Sequence, residues 1–155
     1  MQCVEDFNDL TVERGTYVLI LKASAQALVK VASLGQFTLS EGYYAYVGSA
    51  KVGIRARVGR HLRLARFKVG RLRWHIDYVL VNENIEPYSL VYVNGSFIEH
   101  GIAQGLLRHK DTEVAVRGFG SSDGHCVSHF FKWKGGRGPY TLEAPSIRKR
   151  GSRPC

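Results

Sequence analysis

Residues 42–67, GYYAYVGSAKVGIRARVGRHLRLARF, contain the point at which the chain changes its period. The opening GYYAYVG, rich in aromatic residues with a valine before its closing glycine, reads as a strand. From Gly53 to Phe67 the apolar positions Ile54, Val58, Leu62 and Ala65 recur at i, i+4, i+8 and i+11, which is one face of a helix. Arg57 and His61, four residues apart, flank that stripe and share the edge of the expected buried surface. Arg55, Arg60, Arg63 and Arg66 are expected to point mostly to water. Gly59 inside the helix costs roughly 1 kcal/mol relative to alanine, so packing must support the element.

Working outward, GTYVLILK (15–22) reads as a strand, and ALVKV (27–31) alternates as a second. Ser33-Leu34-Gly35 offers a turn, QFTL (36–39) a further strand, and Glu41-Gly42 a break. The first third is therefore expected to form a small antiparallel sheet. Downstream, WHIDYVLV (74–81) fits a short helix or a strand, with the Trp74/Tyr78 and Asp77/Val81 spacings favouring the helix. Pro87 is expected to break the chain before the strand YSLVYV (88–93). Asn94-Gly95 is a turn signal and Ser96 an N-cap for a helix over 97–109, where Ile98, Ile102 and Leu106 repeat at helical spacing. Val114–Val116 reads as a short strand, GFGSSDGH (118–125) as a loop, and Phe130, Phe131 and Trp133 as residues that pack back on the core. The domain thus spans 15–133, between an N-terminal extension (1–14) and a basic, loosely ordered tail (134–155) rich in Gly, Pro and Arg. There is no internal repeat.

The 155 residues carry 22 Lys+Arg against 13 Asp+Glu, a formal charge of +9, and a 45% hydrophobic content that excludes wholesale disorder. The excess is concentrated. Residues 51–73 hold two Lys and seven Arg and no acid, whereas the first 13 residues hold four acids and no base. Guanidinium groups bind phosphate oxygens bidentately and stay charged, so this stretch points to a polyanion. The exposed candidates are Lys51, Arg55, Arg60, Arg63, Arg66, Arg71 and Arg73. No lipidation motif, no large apolar face and no apolar run of about 18 residues supports a membrane partner. The acidic, mixed opening MQCVEDFNDL is unlike a secretory signal, and the cytoplasm is the expected compartment. Cys3, Cys126 and Cys155 are odd in number and lie far apart, with no CxxC, which argues against a disulfide framework and a cysteine-rich zinc site.

Gly15-Thr16-Tyr17 opens the first long strand, and Tyr46-Val47-Gly48 closes the strand before the arginine helix, running on through Ser49-Ala50-Lys51 to Ile54-Arg55-Ala56-Arg57-Val58. This arrangement resembles the GIY-YIG nuclease family, whose two motifs lie on neighbouring strands followed by a helix with an essential arginine. Up to about Trp133 the chain looks like one small prokaryotic subgroup of that family, through the blocks GTYVL, GYYAYVGSA, RARVGRHLR, WHIDYVL and GFGSSD…SH. The resemblance implies an α+β fold with a small central three-stranded antiparallel sheet flanked by helices. It also implies a metal-dependent endonuclease that hydrolyses phosphodiester bonds in DNA, structure-selective and acting in DNA repair or processing. Carried over by position, Tyr17 and Tyr46 become the two motif tyrosines and Arg57 the helix arginine. His61 stands where some members place a functional histidine. Glu99, opening the segment IEHGIAQGLL, becomes the carboxylate for Mg²⁺ or Mn²⁺; Asp77 is a weaker alternative, and Glu83 and Glu86 are less suitable still. No small-molecule cofactor is implied, and the oligomeric state is left open.

The first motif reads GTY and not GIY, which is typical of the subgroup and costs little. Two other departures weigh more: the asparagine that many members place after the carboxylate has no counterpart, and the subgroup's cysteine pair after GFGSSD is altered to Asp123-Gly124-His125-Cys126. They motivate a rival reading, a DNA- or RNA-binding module that keeps the scaffold without catalysis. Phosphodiester hydrolysis needs an in-line nucleophile, charge stabilisation at phosphorus and help for the departing oxygen. Glu99 with a hard cation, Arg57, and a tyrosine or His61 that orients or deprotonates water would meet those needs. A tyrosine base requires a cation to lower a pKa that is ordinarily near 10, whereas His61 is a conventional base near 6.5. His75/Asp77 and the cluster Asp123, His125, Cys126 and His129 invite a zinc reading, but no second pair has tetrahedral-site spacing, so packing or substrate contact is expected there. GFGSSD lacks the lysine and spacing of a phosphate-cradling P-loop.

Overall fold

A computed structural model describes residues 2–4, 14–94, 98–122 and 125–135. Along them run β1 (Gln2–Val4), β2 (Gly15–Ala23), β3 (Ala27–Val31), β4 (Gly35–Leu39), β5 (Gly42–Ala50), α1 (Ile54–Phe67), α2 (His75–Leu80), β6 (Ile85–Asn94), α3 (Glu99–Arg108), β7 (Thr112–Val114) and β8 (Phe130–Trp133). The class is α+β. Six strands form one antiparallel sheet in the order β1-β6-β2-β5-β8-β7, and β3 and β4 form a separate hairpin.

The sheet has six strands and not the expected three, and the small sheet expected from the first third is divided: its outer strands β2 and β5 pair in the main sheet while β3 and β4 pair only with each other. At the centre, β2 is paired along its whole length to β5 on one side and β6 on the other. Three short strands extend this centre. Gln2–Val4, expected in an extension, pair with Leu90–Tyr92, and Phe130–Trp133 join as a strand between β5 and β7. The short strand expected at 114–116 lies at 112–114. Pro87 does not break the chain. It sits inside β6 where the register with β2 shifts next to Ile20/Leu21, and β1 pairs only further along, at Leu90–Tyr92, so the missing N–H interrupts no ladder there.

Both faces of β2 are buried. Tyr17, Leu19, Leu21 and Ala23 pack with Tyr44 and Tyr46 of β5 against Ile54, Val58, Leu64 and Ala65 of α1 and Ile76, Val79 and Leu80 of α2. Val18, Ile20, Ala45, Val47 and Trp133 form a second cluster, closed by Ile102 and Leu106 of α3. Each buried valine, leucine or isoleucine among them contributes roughly 1.5–3 kcal/mol, which supports a helix with Gly59 in its middle. The ambiguous WHIDYVLV segment is helical over 75–80. Among the described residues no helix is long and apolar enough to cross a membrane. The proposed cap Ser96, the loop residues Asp123 and Gly124, most of the N-terminal extension and the tail from 136 lie outside the described residues.

Candidate functional site

β8 accompanies β5 only over Tyr44–Tyr46, with one further backbone bond from the Val47 amide to the His129 carbonyl (2.9 Å). Beyond that point Gly48 and Ser49 of β5 border a cavity of about 340 Å³. Helices from opposite faces of the sheet meet at this vacated edge. Arg57 of α1 and Trp74 and His75 at the start of α2 line one side, Glu99 and His100 of α3 with His129 the other, and Gly120, whose amide donates to His75, lies between them.

Arg57 is fixed from two sides. Its Nη1 donates to the Ser49 carbonyl at 2.8 Å, and its guanidinium lies 4.7 Å over the Trp74 ring. The Ser49 hydroxyl donates to Oε1 of Glu99 at 3.1 Å, so one residue of β5 orients both the cation and the acid. The other carboxylate oxygen, Oε2, is buried and has no hydrogen-bond partner among the described residues. A buried carboxylate oxygen left this way is costly unless a cation or donor completes it, so the residues present fit a bound hard divalent cation.

Tyr46 borders the cavity, and Tyr17 lies one layer behind it, with ring centroids 6.3 Å apart. Tyr17 is opposite Gly48 in the β2/β5 register. A Cβ on Gly48 would sit 2.6 Å from the Tyr17 Cζ and hydroxyl oxygen, so the glycine of the Tyr46-Val47-Gly48 motif makes room for the tyrosine of the other motif. The Tyr17 hydroxyl meets Nε2 of His61 at 2.9 Å, and His61 Nδ1 lies 3.4 Å from Oδ1 of Asp77. Arg60 donates to both Asp77 oxygens (2.9 and 2.5 Å), and the backbone amides of Arg73 and Trp74 donate to Oδ2.

The electrostatics follow from this layering. Burial pushes Asp77 up, but His61, the Arg60 fork and the two amides outweigh it and hold the carboxyl well below the usual range. Burial lowers His61 despite Asp77 beside it. With Asp77 anionic and His61 neutral, the imidazole proton belongs on Nδ1, and Nε2 accepts from the Tyr17 hydroxyl. Burial, and after it the neighbouring Tyr46, raise Tyr17 well above the ordinary phenol value against the pull of Arg57. Burial pushes Tyr46 up to about 12. Both phenols keep their protons at neutral pH.

Tyr46, Arg57 and Glu99 thus meet at one cavity. Tyr17 and His61 back it from the core, and His61 is fully buried instead of lying at the edge that its spacing implied. The reason is a polar partner inside: Asp77 draws the imidazole inward. Arg60 leaves the expected water-facing set for the same reason, since its guanidinium is committed to Asp77 and the Arg71 carbonyl. Asp77 itself is saturated and is no rival to Glu99 as a metal ligand, and Glu83 and Glu86 lie exposed away from the cavity. Lys51, Arg55, Arg63, Arg66, Arg71 and Arg73 are exposed, with Arg73 on the cavity rim.

Sequence reasoning missed Ser49, Trp74 and His100. Trp74 could have been found from its place one residue before a helix in an arginine-rich stretch. His100 had no such signal, since its partner Cys126 is 26 residues away (His100 Nδ1···Sγ 3.0 Å). The ligand atoms of His100, Cys126 and His129 lie within 4.8 Å of one another, and His125 has its ring 5.9 Å from His100. His75 is engaged elsewhere, accepting from the Gly120 amide at 3.0 Å and meeting the Ser33 hydroxyl at 2.9 Å.

Over residues 16–148 the chain matches the family described as Domain of unknown function DUF123. No curated protein and no solved structure matches it.

Proposed function

The chain belongs to the DUF123 family, and from the geometry of its cavity we propose that it is a divalent-metal-dependent endonuclease of the GIY-YIG type, hydrolysing phosphodiester bonds in DNA. The observation that carries this reading is the meeting of Tyr46, Arg57 and the bare Glu99 oxygen at one sheet edge, beside a helix whose outer face is basic.

A phosphate entering the cavity meets the Arg57 N–H groups that Ser49 leaves unused; a planar fork already held by a carbonyl and an indole loses little freedom on binding. Glu99 is turned by Ser49 so that Oε2 is left for Mg²⁺ or Mn²⁺. When bound, such an ion supplies Lewis-acid charge neutralisation at the phosphoryl and leaving oxygens. Tyr46 keeps its proton at neutral pH in the metal-free protein, so it is placed to orient the attacking water by hydrogen bonding. Tyr17 is a positioning residue: its ring supports Tyr46, and its hydroxyl is anchored on His61. His61 acts through Tyr17, since its Nε2 is engaged and its ring is buried. Exposed Arg55, Arg63, Arg66 and Lys51 would follow the nucleic-acid backbone, which favours recognition of DNA shape, as in repair or processing, over base sequence.

The test is purified protein with Mg²⁺ or Mn²⁺ on branched, flapped and plain duplex DNA, with matched RNA duplexes as competitors. Cleavage is expected, and Arg57→Ala or Glu99→Ala should slow it by roughly 10² or more. Salt-sensitive binding with no cleavage of any substrate would favour the binding-module reading and overturn this one.

A further inference from the structure

We infer that His100, Cys126 and His129 form a separate site for a borderline transition metal, zinc foremost, on the α3 wall of the cavity. Two imidazoles and a thiol converge there from segments far apart in sequence, with their ligand atoms all within 4.8 Å. Cys126 and His129 are buried. Zinc bonded at about 2.0–2.1 Å to nitrogen and about 2.3 Å to sulfur separates neighbouring tetrahedral ligand atoms by about 3.4–3.6 Å. His100 Nδ1 and Cys126 Sγ, 3.0 Å apart, are already closer than a shared ion needs, and the third ligand atom closes with a movement of about an ångström.

The donor set decides the metal. Thiolate and imidazole select zinc over magnesium, whereas the neighbouring Glu99 carboxylate suits the harder ion. Two adjacent residues of α3 therefore present opposite ligand preferences. The backbone around the site is held: the His129 amide donates to the Phe119 carbonyl at 2.8 Å, its carbonyl accepts from Val47, and the Gly118 amide donates to the Val127 carbonyl at 2.8 Å. Gly120, at φ +70°, has room for no Cβ without crowding His129 (3.1 Å), so this turn is built close against the ligand. His100 and His129 both front the cavity, so an ion held by these three residues would be reached from it. Such an ion also ties the N-terminal end of α3, and Glu99 with it, to the segment leading into β8. The inference does not depend on the cleavage reading.

The full chain, stripped by chelation under reducing conditions, is titrated with Co²⁺. The expected result is one equivalent bound, with a thiolate-to-cobalt charge-transfer band and the visible bands of tetrahedral cobalt, displaced by Zn²⁺. Cys126→Ser should abolish the charge-transfer band. His100→Ala and His129→Ala should each weaken binding roughly tenfold or more, and Glu99→Gln should leave the spectrum unchanged. Because substitution of a buried cysteine can unfold the chain, alkylation of the parent protein gives a second readout. Zn²⁺ should slow modification of Cys126 relative to Cys3 and Cys155 in the same molecule. Absence of the band together with unchanged alkylation of Cys126, or a band that survives in folded Cys126→Ser, would overturn the site. A cobalt spectrum in a protein that cuts no DNA would retain this site and reject the nuclease; cleavage without the spectrum would do the reverse.

Discussion

The two walls of the cavity handle polar groups in opposite ways. Behind Tyr46, Tyr17, His61, Asp77 and the partly exposed Arg60 form a series centred on Asp77, whose oxygens are completed by the Arg60 fork and two backbone amides, while His61 Nδ1 faces Asp77 Oδ1 at 3.4 Å, longer than a good hydrogen bond. Across the gap, Glu99 keeps one buried oxygen without a partner among the described residues, and the His100, Cys126 and His129 ligand atoms converge beside it. Both walls carry carboxylate and imidazole. A carboxylate whose oxygens are all paired rigidifies its surroundings; one that leaves an oxygen at a cavity can take a ligand. On the function proposed above, Asp77 serves architecture and Glu99 chemistry, and substitution should separate them.

The largest effect is expected at Asp77. Asp77→Ala leaves the Arg60 charge without its partner and two amides uncapped at the start of α2, which should cost about 3 kcal/mol, the low end for a broken buried pair because Arg60 is partly exposed. Glu99→Gln should change stability by less than about 0.5 kcal/mol while removing cleavage. Urea denaturation of the two variants checks this; equal destabilisation would erase the distinction between the walls.

Next comes Gly48→Ala. The added methyl meets the Tyr17 ring and hydroxyl at 2.6 Å inside a paired strand, so either β5 or the ring must shift, at about 1–3 kcal/mol. The Tyr17–His61 contact would loosen in the same step. Folding stability, together with the imidazole chemical shifts of His61, reports both.

Tyr17→Phe and Tyr46→Phe sharpen the comparison within one layer. The first strands His61 Nε2 in the core and should cost about 1–2 kcal/mol. The second removes a hydroxyl at the cavity and should slow cleavage with less loss of stability. Thermal melts beside single-turnover rates resolve the pair, and reversed rankings would move the catalytic tyrosine from Tyr46 to Tyr17.

How far these roles can be read in advance depends on how local their causes are. The helix over α1 follows from the period of Ile54, Val58 and Ala65, and β2 and β5 from dense aromatic and β-branched runs, because those signals lie within one element. Tyr46, Arg57 and Glu99 are recognisable through the motifs that carry them. Arg60 is not, since one arginine among seven looks like its neighbours until Asp77 folds beneath it. Nor is β8, a four-residue run that becomes a strand only because β5 and β7 flank it. His100 sits next to a recognised residue, yet its meaning comes from Cys126 and His129 across the sheet edge.

Acid should act first on the closed wall. His61 has its pKa lowered on folding, so the unfolded chain takes up more protons, and stability falls as pH drops below the ordinary histidine value near 6.5. Asp77, also lowered, holds its contribution above the ordinary carboxylate value near 3.9 and loses it progressively below. Stability measured against pH should therefore decline in two stages; His75, also lowered by burial, adds to the upper one, and His61→Gln should reduce that stage. A parent curve level from pH 7 to 5 would mean that His61 is not held neutral.

The smallest effects belong to the outer face of α1, which serves neither wall. Arg63 is exposed, and Arg63→Ala should leave stability within about 0.5 kcal/mol. If that face tracks phosphates, the loss of one contact should lower the slope of log affinity against log salt by about 0.9 for duplex DNA, with no change in which DNA structure is preferred. Arg60→Ala is the informative control. It carries the same formal charge on the same helix, but its guanidinium is already committed to Asp77 and the Arg71 carbonyl, so it should reduce stability and leave the salt slope nearly unchanged. Equal slopes for the two variants would mean that net charge, and not the exposed fork, governs binding, and the arginine helix would then be a diffuse electrostatic surface instead of a set of phosphate contacts.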